Sequence, residues 1–263
     1  MPEITLRDGA TLYHETHGNG PPLMLVSGLG GMATFWQAHV EAFARHFTVI
    51  LHDHRGTGRS ALSRIDYSVE QMADDALQLM DALGAHQAHY IGHSTGGAMG
   101  QVIATDHPDR LLRLVLCGTW ARTDAYFRRL FEVRALMLRH LGPEAYSKAS
   151  ALALHMPTWV RDHDADLAAA EAVAEQTIPV PEILLSRIAA IVAHDRRERL
   201  REIQCPTLAI GARDDQVTPA YFTSEIGQLV PDCRTIVLPY GGHFFPNAAA
   251  ADFQRIVLDF LRS

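Results

Sequence analysis

Ala88-His89-Tyr90-Ile91-Gly92-His93-Ser94-Thr95-Gly96 sets an apolar run directly against a G-x-S-x-G box, and the stretch from Ala98 to His107 beyond it reads as a helix. Strand, tight turn and helix in that order are the context in which such a box presents a serine. Small residues on both sides of Ser94 let the backbone turn sharply at the strand end and lift the hydroxyl clear of the sheet. A serine hydroxyl is a poor nucleophile by itself, so a chain that uses one must also supply a base. Two further things are therefore expected of this sequence: a parallel sheet that carries the turn, and a base with its carboxylate at neighbouring strand ends.

The elements on either side supply the sheet. Glu3 to Leu6 and Thr11 to His17 read as strands joined at the turn Asp8-Gly9. Leu23 to Val26 and Thr48 to Leu51 are apolar throughout, as strands covered on both faces are. Ser68 is placed to cap a helix from Val69 to Leu83, with Gln71 completing a capping box and Gly84 as the stop. Strand Ala88 to Ile91, helix Ala98 to Thr105 and strand Leu111 to Leu116 continue the alternation. From Thr119 to Arg201 the strand pattern ceases, and Phe127, Leu130, Phe131, Arg134, Leu138 and Leu141 recur at helical spacing between breaks at Gly142-Pro143, Pro157 and Pro179-Val180-Pro181. Strands Thr207 to Ile210 and Thr235 to Leu238 and a helix from Ala249 to Leu261 close the pattern. The expected fold is α/β: a mostly parallel eight-stranded sheet with helices on both faces and an inserted helical cap. The core takes residues 1–118 and 202–263, and the cap residues 119–201.

Composition narrows the partners. With 263 residues, 48% of them hydrophobic, the chain can bury a full core, and a formal charge of -7 argues against a nucleic-acid surface. The start Met1-Pro2-Glu3-Ile4-Thr5 has no basic head followed by an apolar core, and no apolar run reaches membrane-span length. The three cysteines, Cys117, Cys205 and Cys233, lie far apart, which fits a reducing compartment, so a cytoplasmic location is expected. His52-Asp53-His54 invites a metal, yet no further ligand stands nearby to complete a shell, and Asp53 is expected to accept hydrogen bonds from the turn Arg55-Gly56-Thr57-Gly58. Neither metal nor cofactor is expected. The partner expected is a small-molecule substrate, with self-association into a homodimer left open.

The base and its carboxylate stand where the sheet predicts. Strand Thr207 to Ile210 runs into Asp214-Asp215, and strand Thr235 to Leu238 into Gly241-Gly242-His243, both at the edge where open α/β sheets build their sites. The catalytic residues expected are Ser94, Asp215 and His243, in that chain order. Asp215 is preferred over Asp214 because Asp215-x-x-x-Pro219 places the proline at the first position of the next helix, leaving Asp214 to face solvent or pair with Arg213. The oxyanion hole is expected from the amides of Leu29 and Thr95, with Gly30 as the fallback for Leu29.

These motifs together resemble the α/β-hydrolase fold over nearly the whole chain. More narrowly, Ser27-Gly28-Leu29-Gly30-Gly31, Asp53-His54-Arg55-Gly56-Thr57-Gly58, Phe131-Glu132-Val133-Arg134 and Pro239-Tyr240-Gly241-Gly242-His243 are similar to the aminoacrylate hydrolases of pyrimidine breakdown, the RutD type, and the layout is similar to 3-oxoadipate enol-lactonases. The resemblance implies hydrolysis of a small, carboxylate-bearing metabolite under a helical cap, with Arg134 binding the carboxylate. Ser27 departs from the pattern, standing where many hydrolases of this fold carry a histidine. Ser94 is present where some RutD-like proteins lack the serine. Phe35, Trp120, Trp159 and Phe244 are candidate walls of the substrate pocket.

The expected activity is that of a serine hydrolase cleaving a C–O bond in a small ester or enol-lactone through an acyl-enzyme on Ser94. Cleavage of a C–N bond of the aminoacrylate or amide kind is the alternative, with C–C cleavage third. Peroxide chemistry uses the same residues. A non-enzymatic reading, a ligand-binding receptor built on the fold, is distinguished by its failure to react with a serine-directed fluorophosphonate.

Overall fold

A computed structural model describes residues 2–263. Strands β1 (Glu3–Thr5), β2 (Thr11–His17) and β3 (Pro22–Val26) lead into a 3₁₀ turn at Ala33–Trp36 and helix α1 (Gln37–Ala44), neither of which carries a clear pattern in the sequence. The chain continues through β4 (Thr48–His52), α2 (Val69–Ala82), β5 (Ala88–His93), α3 (Thr95–Asp106) and β6 (Leu111–Cys117). The strands form one eight-stranded sheet in the order β1-β2-β4-β3-β5-β6, completed by β7 (Thr207–Ala212) and β8 (Cys233–Leu238). Only β2 runs antiparallel to its neighbours, β1 and β4; the rest is parallel.

Two apolar layers sandwich the sheet. Successive residues of β3 alternate between them, Met24 and Val26 joining the cluster under α2 and α3, Leu23 and Leu25 the cluster under α1 and the last helix (Ala250–Arg262). Both clusters are buried, so the strands read as continuous apolar runs instead of alternating ones. On the second face Trp36, Phe43 and Phe253 are fully buried, each contributing roughly 1.5–3 kcal/mol by leaving water. Between β7 and β8 lies α9 (Ala220–Leu229); the short α10 (Phe245–Ala248) and α11 (Ala250–Arg262) follow β8.

Between β6 and β7 the chain leaves the sheet to form the cap: α4 (Ala125–Leu154), α5 (Pro157–Asp162), α6 (Asp164–Ala172), α7 (Ala174–Thr177) and α8 (Pro181–Ala193). Helix α4 is two helices in series, broken at Gly142, whose φ of 83° and ψ of -178° end the first before Pro143 opens the second. An isolated bridge between Arg122 and Asp195 ties the two cap stems together. Among the described residues no helix is long and apolar enough to cross a membrane. Two local expectations are corrected. Ser68 does cap α2 through the Gln71 amide at 3.0 Å, but the Gln71 side chain turns to Asp75 instead of closing the capping box. Pro219 stands one residue outside α9, at its N-cap.

Candidate active site

Ser94 sits where β5 ends and α3 begins, with φ 53° and ψ -115°, and no other non-glycine residue described has a positive φ. A side chain held in that region stores about 1–3 kcal/mol, which the surroundings must over-determine. They do so at the backbone: the Ser94 amide donates to Cys117 O at 2.8 Å, and its carbonyl accepts from Thr119 Oγ1 at 2.8 Å. The flanking glycines are required by close approach. A Cβ on Gly92 would stand 2.2 Å from Gly96 O, and one on Gly96 2.3 Å from Val26 O.

The loops after β7 and β8 bring up the other two residues. Asp215 Oδ1 accepts from the amides of Val217 (2.7 Å) and Thr218 (2.9 Å); its Oδ2 accepts from Thr218 Oγ1 (2.8 Å) and His243 Nδ1 (2.9 Å). With every lone pair of the carboxylate directed, the imidazole proton is held on Nδ1 and Nε2 is left free as a base. Asp214 neither faces solvent nor pairs with Arg213. Instead it accepts from the amides of Gly241 (3.2 Å) and Gly242 (3.0 Å), fastening the loop that carries His243. That loop is held twice more: His93 Nε2 donates to His243 O at 2.9 Å, and the His243 amide donates to Leu154 O, the last carbonyl of α4, at 3.0 Å. Burial, reinforced by His243 beside it, pushes His93 well below the usual imidazole range, so it stays neutral. No hydrogen bond joins Ser94 Oγ to His243. Both line one cavity of about 680 Å³.

Gly28 packs directly on Ser94, where an added Cβ would stand 3.1 Å from Ser94 Cβ, so the loop 28–31 lies against Ser94. Its turn is closed by Gly31 N donating to Gly28 O at 3.0 Å. The amides of Leu29, Gly30 and Thr95 have no acceptor among the described residues, which leaves them available to an oxyanion. Ser27 Oγ is buried without a partner and gives this loop no support of the kind a histidine would.

The cap closes the cavity from above. Arg134 is buried; it donates to Tyr146 Oη at 2.7 Å and Ser150 Oγ at 3.1 Å and lies 4.8 Å over the Phe131 ring. Phe35 and Phe244 also line the cavity, Phe35 stacked on His93 with centroids 4.5 Å apart. The two tryptophans do not. Trp120 is fully buried against Phe127 below the cap, and Phe131 forms the wall in its place. Trp159 is sandwiched between His155 (3.8 Å) and His163 (4.1 Å), and of the three only His155 reaches the cavity. Burial brings His155 down to about 4. Asp53 binds Ala33 N and the Arg59 guanidinium and amide, not the amides of the turn between them. Burial opposes its charge, yet Arg59 holds its carboxyl below the ordinary range. Among the described residues no three His, Cys, Asp or Glu side chains gather as a metal site.

Several lining residues escaped the sequence reading, His155 and Arg187 among them. Arg187, on α8, is fully buried and forms part of the cavity wall. The signal was present: Ile183, Arg187, Ile188 and Ile191 share the buried face of an amphipathic helix, where an arginine does not belong without a reason. Arg134 and Arg187 are the arginines of the wall, and no described Asp or Glu lines it.

The model of the alpha/beta hydrolase fold matches residues 21–246. The chain belongs to that family. Within this hydrolase family it is 39% identical, over 95% of both chains, to a protein of Azorhizobium caulinodans named as a carbamate hydrolase, RutD. Its structure is similar to the enol-lactonase from Burkholderia xenovorans LB400, with a TM-score of 0.91 and 29% identity over the full length of both. A thermophilic esterase from Thermogutta terrifontis, solved with malate bound, superposes with a TM-score of 0.87 at 27% identity, covering 99% of this chain and 97% of that one.

Proposed function

We propose that this hydrolase cleaves a small, carboxylate-bearing ester or enol-lactone through an acyl-enzyme on Ser94. The observation that carries the reading is the charge of the cavity: in a chain of net charge -7, the wall around Ser94 holds Arg134 and Arg187 and no described carboxylate. A low-dielectric cavity with that balance favours an anion. Arg134 suits it best, since a planar guanidinium with donors left over after Tyr146 and Ser150 matches a carboxylate.

In this reading Ser94 attacks the acyl carbon while His243 Nε2 takes its proton. The tetrahedral oxyanion accepts from the Leu29 and Thr95 amides, and Asp215 holds the imidazolium that forms. His243 then returns the proton to the leaving oxygen, and water repeats the sequence on the acyl-enzyme. A C–N substrate of the carbamate or aminoacrylate kind is the second reading, supported by the name of the Azorhizobium caulinodans relative. It uses the same groups, with the proton delivered to nitrogen.

The test is a panel of esters, enol-lactones, carbamates and amides, each with and without a carboxylate, against wild type, Ser94→Ala and Arg134→Met. Hydrolysis is expected to vanish in Ser94→Ala. Arg134→Met is expected to raise KM about tenfold or more for carboxylated substrates and leave uncharged ones unchanged. Residual full activity in Ser94→Ala removes the acyl-enzyme; an equal effect of Arg134→Met on charged and uncharged substrates removes the carboxylate.

A further inference from the structure

The Arg187 guanidinium is fully buried with no carboxylate in ion-pair or hydrogen-bond contact; Asp75 attracts it only from beyond that range. Its Nη1 donates to Arg55 O at 2.9 Å, its Nη2 to Leu29 O and to His54 Nδ1, both at 3.0 Å, and its Nε has no partner. All three acceptors are neutral. Burying a charge without a counter-charge costs several kcal/mol, and an aliphatic side chain would complete the apolar face of α8 at no such cost. Burial lowers the guanidinium to about 10, so it remains charged at neutral pH.

Where those bonds go is informative. Leu29 supplies one of the two candidate oxyanion amides, and its carbonyl has no other hydrogen-bond donor among the described residues. Gly28, Gly30 and Gly31 surround it, so the loop has little conformational preference of its own. Gly31 is tied from the core side, its carbonyl accepting from His54 N and Thr57 Oγ1. Leu29 is tied only from the cap. The helix that delivers the tie is itself latched to the core one residue earlier: Ser186 Oγ accepts from Tyr67 N at 3.0 Å and donates to Ile65 O at 3.2 Å.

We propose that Arg187 is a positioning residue for acyl transfer: reaching down from the cap, it fixes Leu29 so that the oxyanion loop is formed only when the cap is seated. The inference rests on the reading of Ser94 as nucleophile and Leu29 as oxyanion donor. Pairing with neutral acceptors serves that role, because a carboxylate in the same place would cancel the positive field beside the oxygen that becomes negative. The cap then does more than select the substrate. It completes the catalytic geometry, and a chain whose α8 has lifted keeps its Ser94, His243 and Asp215 but lacks a fixed oxyanion donor.

The test uses p-nitrophenyl acetate, which has no carboxylate for Arg134 to bind, with wild type, Arg187→Met and Arg187→Lys. Affinity for an aryl boronic acid, which forms a tetrahedral adduct on serine, is measured alongside. Arg187→Met is expected to lower kcat about 10- to 100-fold with KM changed less than about threefold, and to weaken the boronate by a similar factor. Arg187→Lys keeps the charge, but its single nitrogen cannot span acceptors that the guanidinium holds on two nitrogens, so it is expected to recover only part of the loss. If Arg187→Met does not fold, Arg187→Lys decides alone: kcat at least about tenfold down with KM held supports the proposal, and wild-type kcat overturns it. A loss confined to KM, with boronate affinity intact, also overturns it. Wild type that neither hydrolyses the ester nor takes a fluorophosphonate on Ser94 overturns the serine reading, and this inference with it.

Discussion

Two adjacent aspartates at the end of β7 have different partners: Asp215 contacts His243, the residue the sequence pairs it with, whereas Asp214, expected at solvent or Arg213, holds the amides of Gly241 and Gly242. Asp215 accepts from the amides of Val217 and Thr218 in the loop before α9, from Thr218 Oγ1 and from His243 Nδ1. Asp214 grips the two glycines before His243, which take φ of 133° and 62° and have no intrinsic reason to hold that shape. Removing the first carboxylate therefore leaves the imidazole unoriented, while removing the second lets an oriented imidazole drift. Asp215→Asn is expected to lower kcat about 10³- to 10⁴-fold, because an amide leaves the imidazole in the wrong tautomer. Asp214→Ala is expected to cost about tenfold, with KM nearly unchanged and the rate of fluorophosphonate labelling falling in proportion. Steady-state kinetics of the two variants side by side check this; equal losses would mean that the two aspartates share one role. Ser94, His243 and Asp215 were legible in the sequence because each follows a strand-like run, and strand ends of a parallel sheet converge on one edge. Asp214's partners were not legible, since main-chain amides carry no residue type to read.

At the level of elements, the cap shows where periodicity suffices and where it fails. The break in α4 was readable from Gly142-Pro143, and so was the buried face that places Arg134 inward. What periodicity cannot tell is which of several apolar residues face a cavity and which face the core beneath it. Trp120 and Trp159 were chosen for size, but the cavity is walled by smaller side chains because the large rings stack elsewhere, on Phe127 and between two histidines. Arg187 acts through groups more than 130 positions away in the chain, a relation no local window contains. The break also has a consequence for the site. Arg134 lies before Gly142 and its partners Tyr146 and Ser150 after it, so the hairpin angle at Gly142 sets the guanidinium. The glycine has open space around it, so a Cβ there meets no atom and its whole cost is the backbone conformation, about 1–3 kcal/mol. Gly142→Ala is expected to lower Tm by a few degrees, raise KM for carboxylated substrates several-fold and leave kcat on p-nitrophenyl acetate intact. Kinetics on matched charged and uncharged esters decide it: a parallel loss on both would place the effect in the catalytic residues instead of the cap.

For the molecule as a whole, the histidines govern its response to acid. Burial brings His39, His52 and His194 to about 4, and pushes His54 and His93 well below the ordinary imidazole value. In the unfolded chain the same groups titrate near 6.5. Between those values the unfolded state binds more protons, so the neutral imidazoles contribute stability that is present above about pH 6.5 and is lost as pH falls toward 4. One buried imidazole that must charge on unfolding is worth up to about 3 kcal/mol by pH 4, a large fraction of a total stability of about 5–15 kcal/mol. The carboxylates lowered by arginine, Asp53 beside Arg59 and Asp106 beside Arg196, act in the same direction but titrate below the histidines. Asp75, raised by burial despite Arg55, opposes them as a single group. The expected profile is a flat Tm above about pH 7 and a fall that begins near pH 6.5 and continues to about pH 4. Calorimetry across that range measures it. His52 is the best single probe, because it is fully buried and its Nδ1 has no hydrogen bond to lose. His52→Gln is expected to reduce the slope of Tm between pH 6.5 and 5 whatever it does to Tm at pH 8. A Tm independent of pH down to 5, or a His52→Gln slope equal to wild type, would show that His52 is not held neutral in the folded chain across that range.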